Sequence, residues 1–278
     1  MHVRLTVGVD GWTAALMHSL REAPLLVGDL PEAAVMNRSL LGLPEPHVSL
    51  NFEQKLGHLY EDALLHLLRR SEACQLRASH LQVINADGIT LGEMDYLIRD
   101  CAEQYDFQLE IAVKFYLAYQ INGSWSYPGP DPRDNWQRKL TRMRTHQLTL
   151  GQRPETRKLL SDRFGVDRLQ VRQLIYGRLF VPMGVADCPL PQAMASDGLR
   201  GRWLYCREWS TWIRSDVELR VIPKALWPVL LTDSLLQSLP LVSEAELIRL
   251  ASDRCVLFVV GDSLMPTFLV PDGWPKTE

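Results

Sequence analysis

No stretch of the 278 residues approaches the ~20 apolar residues that a membrane-spanning helix requires. The strongest apolar run, Cys255 to Val260, is far too short, so no membrane span is expected. Cysteine is sparse: Cys74, Cys101, Cys188, Cys206 and Cys255 lie far apart and form no CxxC pair. An odd, dispersed set argues against both a disulfide framework and a zinc knuckle. The chain also lacks a GxxxxGK[ST] loop, a GxGxxG turn after a strand and an HExxH helix. Nucleotide hydrolysis, dinucleotide redox chemistry and zincin chemistry are therefore unsupported, and no nucleotide cofactor is expected. Met1 to Val9 is not followed by an apolar segment with a small-residue cleavage site, so the expected location is the cytoplasm.

What is present fits a folded globular chain, with 46% hydrophobic and 23% charged residues. The net charge of -3 is unevenly spread, because Arg133 to Arg178 contains twelve Lys or Arg against four acids. Such a basic block can face a polyanion or be a solvated helix face.

Periodicity supplies the coarse architecture. Leu56, Leu59, Tyr60, Ala63, Leu64 and Leu67 recur at helical spacing and predict a helix over 51–70, with His58, Asp62 and His66 on its outer face. Three strand-like runs follow at 80–85, 89–98 and 107–117, the first two joined by the turn signal Ala86-Asp87-Gly88. The segment 122–132 reads as a loop, 133–148 as a helix, and 154–164 as a helix opened by Pro154 and closed by Gly165. Further strands are expected at 171–181, 217–222 and 254–260, and helices at 224–239 and 243–252, the last with Ser243 and Glu246 as a capping box. The four tryptophans at 203, 209, 212 and 227 suggest an aromatic packing layer.

Side chains alternate along strands, so Glu93 and Asp95 share one face and Glu110, Ala112 and Lys114 share another. If the two polar faces coincide, Asp95, Glu110 and Lys114 gather over one edge of the sheet. Oxygen ligands of this kind suit Mg2+ or Mn2+, which is typically held by one or two carboxylates together with water and phosphate. Glu61, on the border of the buried helix stripe, can complete such a site. The bland alternative is a charged sheet face with cross-strand ion pairs.

The helix LGHLYEDAL, the strand GEMD and the strand ending Ala112-Val113-Lys114 together resemble the PD-(D/E)XK nuclease superfamily. More closely, KLGHLYEDAL, LGEMDYLIRD, LEIAVKFYLAYQ, RDNWQRKLTRMRTHQL and VPDGWP resemble a bacterial family known as domain of unknown function 1853. The resemblance implies an α/β fold with a restriction-endonuclease-like αβββαβ core and a mixed sheet over 51–182. An N-terminal helical lead-in over 1–50 and a C-terminal α/β extension over 183–278, packed on the core, would flank it. It implies a metal-dependent nuclease acting on DNA, with Asp95 and Glu110 as metal ligands, Glu61 as the helix acid and Lys114 as the motif lysine. Arg133, Arg138, Lys139 and Arg142 would bind phosphates without reading sequence. The superfamily's second acid normally stands two residues before the lysine, where this chain has Ala112. Glu110 lies another ~6.6 Å back along the strand. The alternative is therefore a catalytically degenerate fold acting as a nucleic-acid- or protein-binding module.

Phe258 to Leu264 also resembles the strand-then-GDSL block of the GDSL esterases. That family needs a downstream histidine, whereas the last histidine here is His146, so a hairpin turn is expected instead.

Overall fold

The computed structural model describes residues 9–45 and 47–275. The helices are α1 (Val9–Glu22), α2 (Leu56–Arg69), α3 (Trp136–Arg142), α4 (Pro154–Phe164), α5 (Trp209–Trp212), α6 (Asp233–Ser238) and α7 (Glu244–Leu250). The strands are β1 (Ala34–Val35), β2 (Cys74–Ile84), β3 (Thr90–Asp100), β4 (Asp106–Leu117), β5 (Tyr119–Ile121), β6 (Ser124–Ser126), β7 (Leu169–Pro182), β8 (Arg200–Tyr205), β9 (Leu219–Val221), β10 (Val256–Val260) and β11 (Thr267–Val270).

A nine-stranded mixed sheet runs in the order β2-β3-β4-β7-β8-β11-β10-β9, with β1 also paired to β7. The strands β2, β3 and β4 form an antiparallel meander, and β7 then lies parallel to β4 from Asp106↔Leu169 to Leu117↔Phe180. The sheet continues without interruption into β8 and the later strands, so the residues on either side of position 182 share it.

Helices cover both faces, because alternate residues of β4 bury in opposite directions. Phe107, Leu109, Ile111, Phe115 and Leu117 pack with α1 and α2, whereas Tyr116 packs with Trp136 and Leu140 from α3 and with Met143 just after it. α4 closes the far end over β2 and β3 through Leu160, against Leu81, Val83, Met94 and Leu97. The predicted stripe of α2 is buried from Leu59 to Leu67, with Leu56 half-buried at its start, and truncating Leu64 there would cost about 2–5 kcal/mol.

Several boundaries differ from expectation for local reasons. The helix expected from 51 starts at Leu56, because the Asn51 side chain accepts the Glu53 N–H in a turn and Lys55 is extended. The segment expected to be a loop from 122 holds the turn and second strand of the β5–β6 hairpin, turning at Asn122 and Gly123 with φ of 49° and 78°. The helix expected over 224–239 is instead a short turn over 224–226 and the separate α6, whose start is capped by Thr232 accepting from Leu235 N–H. Pro228 lacks the N–H that would have continued the first turn. The hairpin expected after residue 260 is present, as β10 pairs antiparallel with β11. β8 and β11 had no clear sequence signal.

Gly177 of β7 fixes how closely β4 is approached. It sits opposite Lys114 with φ of 137°, and a Cβ at that position would lie 1.7 Å from the Lys114 carbonyl oxygen.

Candidate functional site

The β3–β4 ladder runs from Arg99↔Asp106 to Tyr96↔Leu109 and stops there. One step further stand Asp95 and Glu110. Asp95 Oδ2 accepts the Ile111 N–H at 2.8 Å, so a side chain takes the place of the next strand-to-strand bond. The strands part at this point. On the other side of β3, His80 falls opposite Asp95, between the pairs Ser79↔Tyr96 and Leu81↔Met94, and adopts a left-handed φ of 50°. Positive φ at a non-glycine residue is uncommon and here coincides with the break in the ladder.

Glu110 is 2% exposed. Its Oε1 accepts from the Gln147 side-chain amide, while its Oε2 is buried and has no hydrogen-bond partner. An unpaired buried carboxylate oxygen is costly in its charged form. Burial, reinforced by the negative charge of Asp95, accordingly holds the Glu110 carboxyl well above the usual range, and Lys139 opposes this. Asp95 is pushed up to about 6, mainly by burial, with the Ile111 N–H working against it and Glu61 and Glu93 adding to it. Glu110 thus feels the charge of Asp95, and Asp95 that of Glu61 and Glu93, a clustering of perturbed carboxyls that occurs at functional sites and in structural networks.

The sequence-predicted residues are placed as follows. Glu61 reaches this group from α2, with His58 Nδ1 3.2 Å from its carboxylate, and Tyr96 donates to the Glu61 carbonyl at 2.7 Å, pinning that helical turn to β3. Glu93 is exposed and lies 3.3 Å from His80 Nδ1. Lys114 is not brought to the pair: its Nζ binds Asp134 at 2.7 Å, and it stands four strand steps, ~13 Å, from Glu110 along β4. Arg138 and Arg142 are exposed, and exposed Arg133 is forked onto Asp131 at 2.7 Å. Lys139 is half-buried and turned inward, away from the exposed side of α3 that carries Arg138.

Two side chains escaped the sequence reading. Past α3 the chain makes a wide π-type turn over Met143–Gln147, which carries Gln147 to Glu110. Gln147 Oε1 receives Lys139 Nζ at 2.8 Å, so this amide links the cation to the acid. Burial and the charge of Lys114 lower the Lys139 pKa, with Glu110 and Asp134 opposing. A signal existed for Gln147, a polar residue on the otherwise apolar stripe of Trp136, Leu140 and Met143. None existed for His80, whose importance lies in its backbone.

Asp95 sets a testable pH dependence in the metal-free protein. Its folded value of about 6 exceeds the unfolded carboxylate value of ~3.9, so the folded state binds more protons between the two. Its contribution to stability is thus complete below pH ~4 and is lost as pH rises through about 6. Asp95→Asn is expected to melt higher than wild type at pH 8 in EDTA, with the gain shrinking towards pH 4.5. Parallel melting curves for the two proteins across that range would show that Asp95 is not buried with its neighbours as described.

Among the described residues, no group of three or more His, Cys, Asp or Glu side chains converges in a metal-holding arrangement. The donors on offer are the Asp95 and Glu110 carboxylates, with Glu61 and Glu93 near them. None of the described helices is long and apolar enough to cross a membrane. A family model described as "Domain of unknown function (DUF1853)" matches residues 22–252. No curated protein and no solved structure matches the chain.

Proposed function

The chain belongs to the DUF1853 family, and from the geometry of its carboxylates we propose that it is a metal-dependent nuclease hydrolysing DNA phosphodiester bonds. The observation that carries this reading is the buried, unpartnered Oε2 of Glu110 beside a second acid, Asp95. A buried carboxyl whose pKa is raised by burial and by the neighbouring charge of Asp95 is relieved by a divalent cation, and Mg2+ or Mn2+ is commonly held by one or two carboxylates with water and phosphate completing the shell. Asp95 and Glu110 would be the two protein ligands of such an ion, with Glu61 nearby but not converging with them into a three-acid set. When bound, the ion would offset charge on the phosphoryl group and make water a better nucleophile.

The protein's own groups have distinct tasks in this reading. The Ile111 N–H orients Asp95, and the Gln147 amide orients Glu110. Lys139, held by Gln147, is the cation beside Glu110, and Lys114 serves a phosphate further along β4. Arg138 and Arg142 add salt-dependent affinity for the backbone. The order α2, then antiparallel β2-β3-β4, then α3 and α4, then β7 parallel to β4, supports a restriction-endonuclease-like core.

The second reading is a catalytically degenerate module that binds nucleic acid or protein. It is favoured by Ala112 at the position of the superfamily's second acid and by the Lys114–Asp134 ion pair. The deciding experiment measures cleavage of single-stranded, double-stranded and branched DNA with Mg2+ or Mn2+, alongside the melting temperature with and without each metal. Metal-dependent cleavage and a metal-induced rise in melting temperature are expected. A wild-type protein that is folded, inert on every substrate and indifferent to both metals would leave the binding module.

A further inference from the structure

A cleft with a volume of about 900 Å³ has neither Asp95 nor Glu110 in its lining. It is lined by the start of α2, by Lys114 and the loop at 130–134, and by segments 221–224 and 253–257, so both sides of the 182 boundary contribute. Five Lys or Arg line it against three Asp, in a chain whose net charge is -3. Lys114 and Arg133 are occupied by Asp134 and Asp131. Lys55, Lys224 and Arg254 are exposed and form no ion pair among the described residues, and they come from three separate segments of the chain. Between them the floor is apolar, with Val113, Phe115 and Trp227.

We propose that this cleft is the track for the phosphodiester backbone of a nucleic-acid strand on its way to the carboxylates, and that segments 221–227 and 253–257 are its second jaw. The choice of a nucleic-acid strand as occupant rests on the nuclease reading. Unpaired cations around an apolar floor suit a ligand with regularly spaced anionic groups and flat apolar faces. Two elements lead from the cleft to the acids. Gly57 lines the cleft and Glu61 follows one helical turn later, ~6 Å along α2. Lys114 lines it too, and β4 runs back from there to Glu110. The first turn of α2 adds to the positive field, since Lys55 supplies no side-chain cap to its free N–H groups.

The test is fluorescence anisotropy with labelled single- and double-stranded oligonucleotides in EDTA, where binding is read without cleavage. The full chain is compared with Lys224→Glu/Arg254→Glu and with a control of equal charge change, Lys158→Glu/Arg249→Glu, both at exposed positions. The cleft variant should bind about tenfold more weakly at low salt, and its salt-dependence slope should fall by about 2. The control should stay within about twofold of wild type. A Lys224→Gln/Arg254→Gln variant of confirmed melting temperature guards against a folding defect and should show roughly half the loss. Equal losses in cleft and control variants, or none in either, would overturn the proposal. So would displacement of the oligonucleotide by inorganic phosphate or a mononucleotide at equal phosphate concentration, which would mark a small-anion pocket. Cleft-dependent binding by a protein that never cleaves would keep the track and reject the nuclease. Cleavage and binding at wild-type levels by the cleft variants would do the reverse.

Discussion

Asp95→Asn is expected to lower metal-dependent DNA cleavage by about 10³-fold, equivalent to about 4 kcal/mol of lost transition-state stabilisation. The substitution is a narrow one. Asparagine keeps an oxygen that can accept the Ile111 N–H and nearly the same volume, so the parted ends of β3 and β4 should hold their positions. What disappears is one of the two charges that would hold the cation. Glu110→Gln should lose activity comparably, and both proteins should bind oligonucleotides in EDTA as wild type does. The measurement is nicking of supercoiled plasmid across a Mg2+ series, with melting temperature as the control for folding. A folded Asp95→Asn protein that nicks at the wild-type rate would mean that the activity resides elsewhere.

The second large effect concerns the frame rather than the chemistry. Gly177→Ala is expected to destabilise the protein by more than about 4 kcal/mol, or on the order of 10 °C in melting temperature. Two penalties combine there. A φ of 137° is a region that residues with a Cβ rarely adopt, and the new carbon would fall 1.7 Å from the Lys114 carbonyl oxygen. Relief would require β4 and β7 to separate midway along their shared ladder, where Ala112↔Ile175 and Tyr116↔Leu179 bracket the site. Gly28→Ala is the matched control, since nothing lies within 4 Å of the added carbon. That variant should melt within a few degrees of wild type. If Gly177→Ala melts there as well, the close approach of β7 to Lys114 is not as described.

Elements whose pattern is set by their own residues were legible in the sequence. α2 follows from its leucine stripe, β3 and β4 from alternation, and α4 from Pro154 at its start and Gly165 in the left-handed conformation at its end. β8 and β11 were not, because they are short inner strands whose pairing comes from residues far away. Arg200 and Arg202 sit in β8 for partners the local sequence does not reveal: Arg200 donates to Ala195 O and Arg202 to Val185 O. At the site, alternation placed Glu93 with Asp95 and Glu110 with Lys114, but which polar faces meet depends on the strand register, set by the pairing Tyr96↔Leu109. The cation was harder. Spacing nominated Lys114, but the lysine beside Glu110 is Lys139, delivered by a helix whose docking angle and terminal π-type turn are tertiary facts.

The position of β11 bears on how the protein is made. Every other described strand precedes Thr267–Val270 in sequence, yet β11 lies between β8 and β10. During synthesis, β2, β3, β4, β7 and β8 can assemble early, but the edge of β8 stays bare until those four residues have left the ribosome, and β10 and β9 wait apart. A growing chain with an open, unpaired strand edge is a target for self-association. The nascent protein therefore passes through a long interval in which its largest sheet is split in two, and its yield in the cell should depend on chaperone capacity and translation rate more than its final stability suggests.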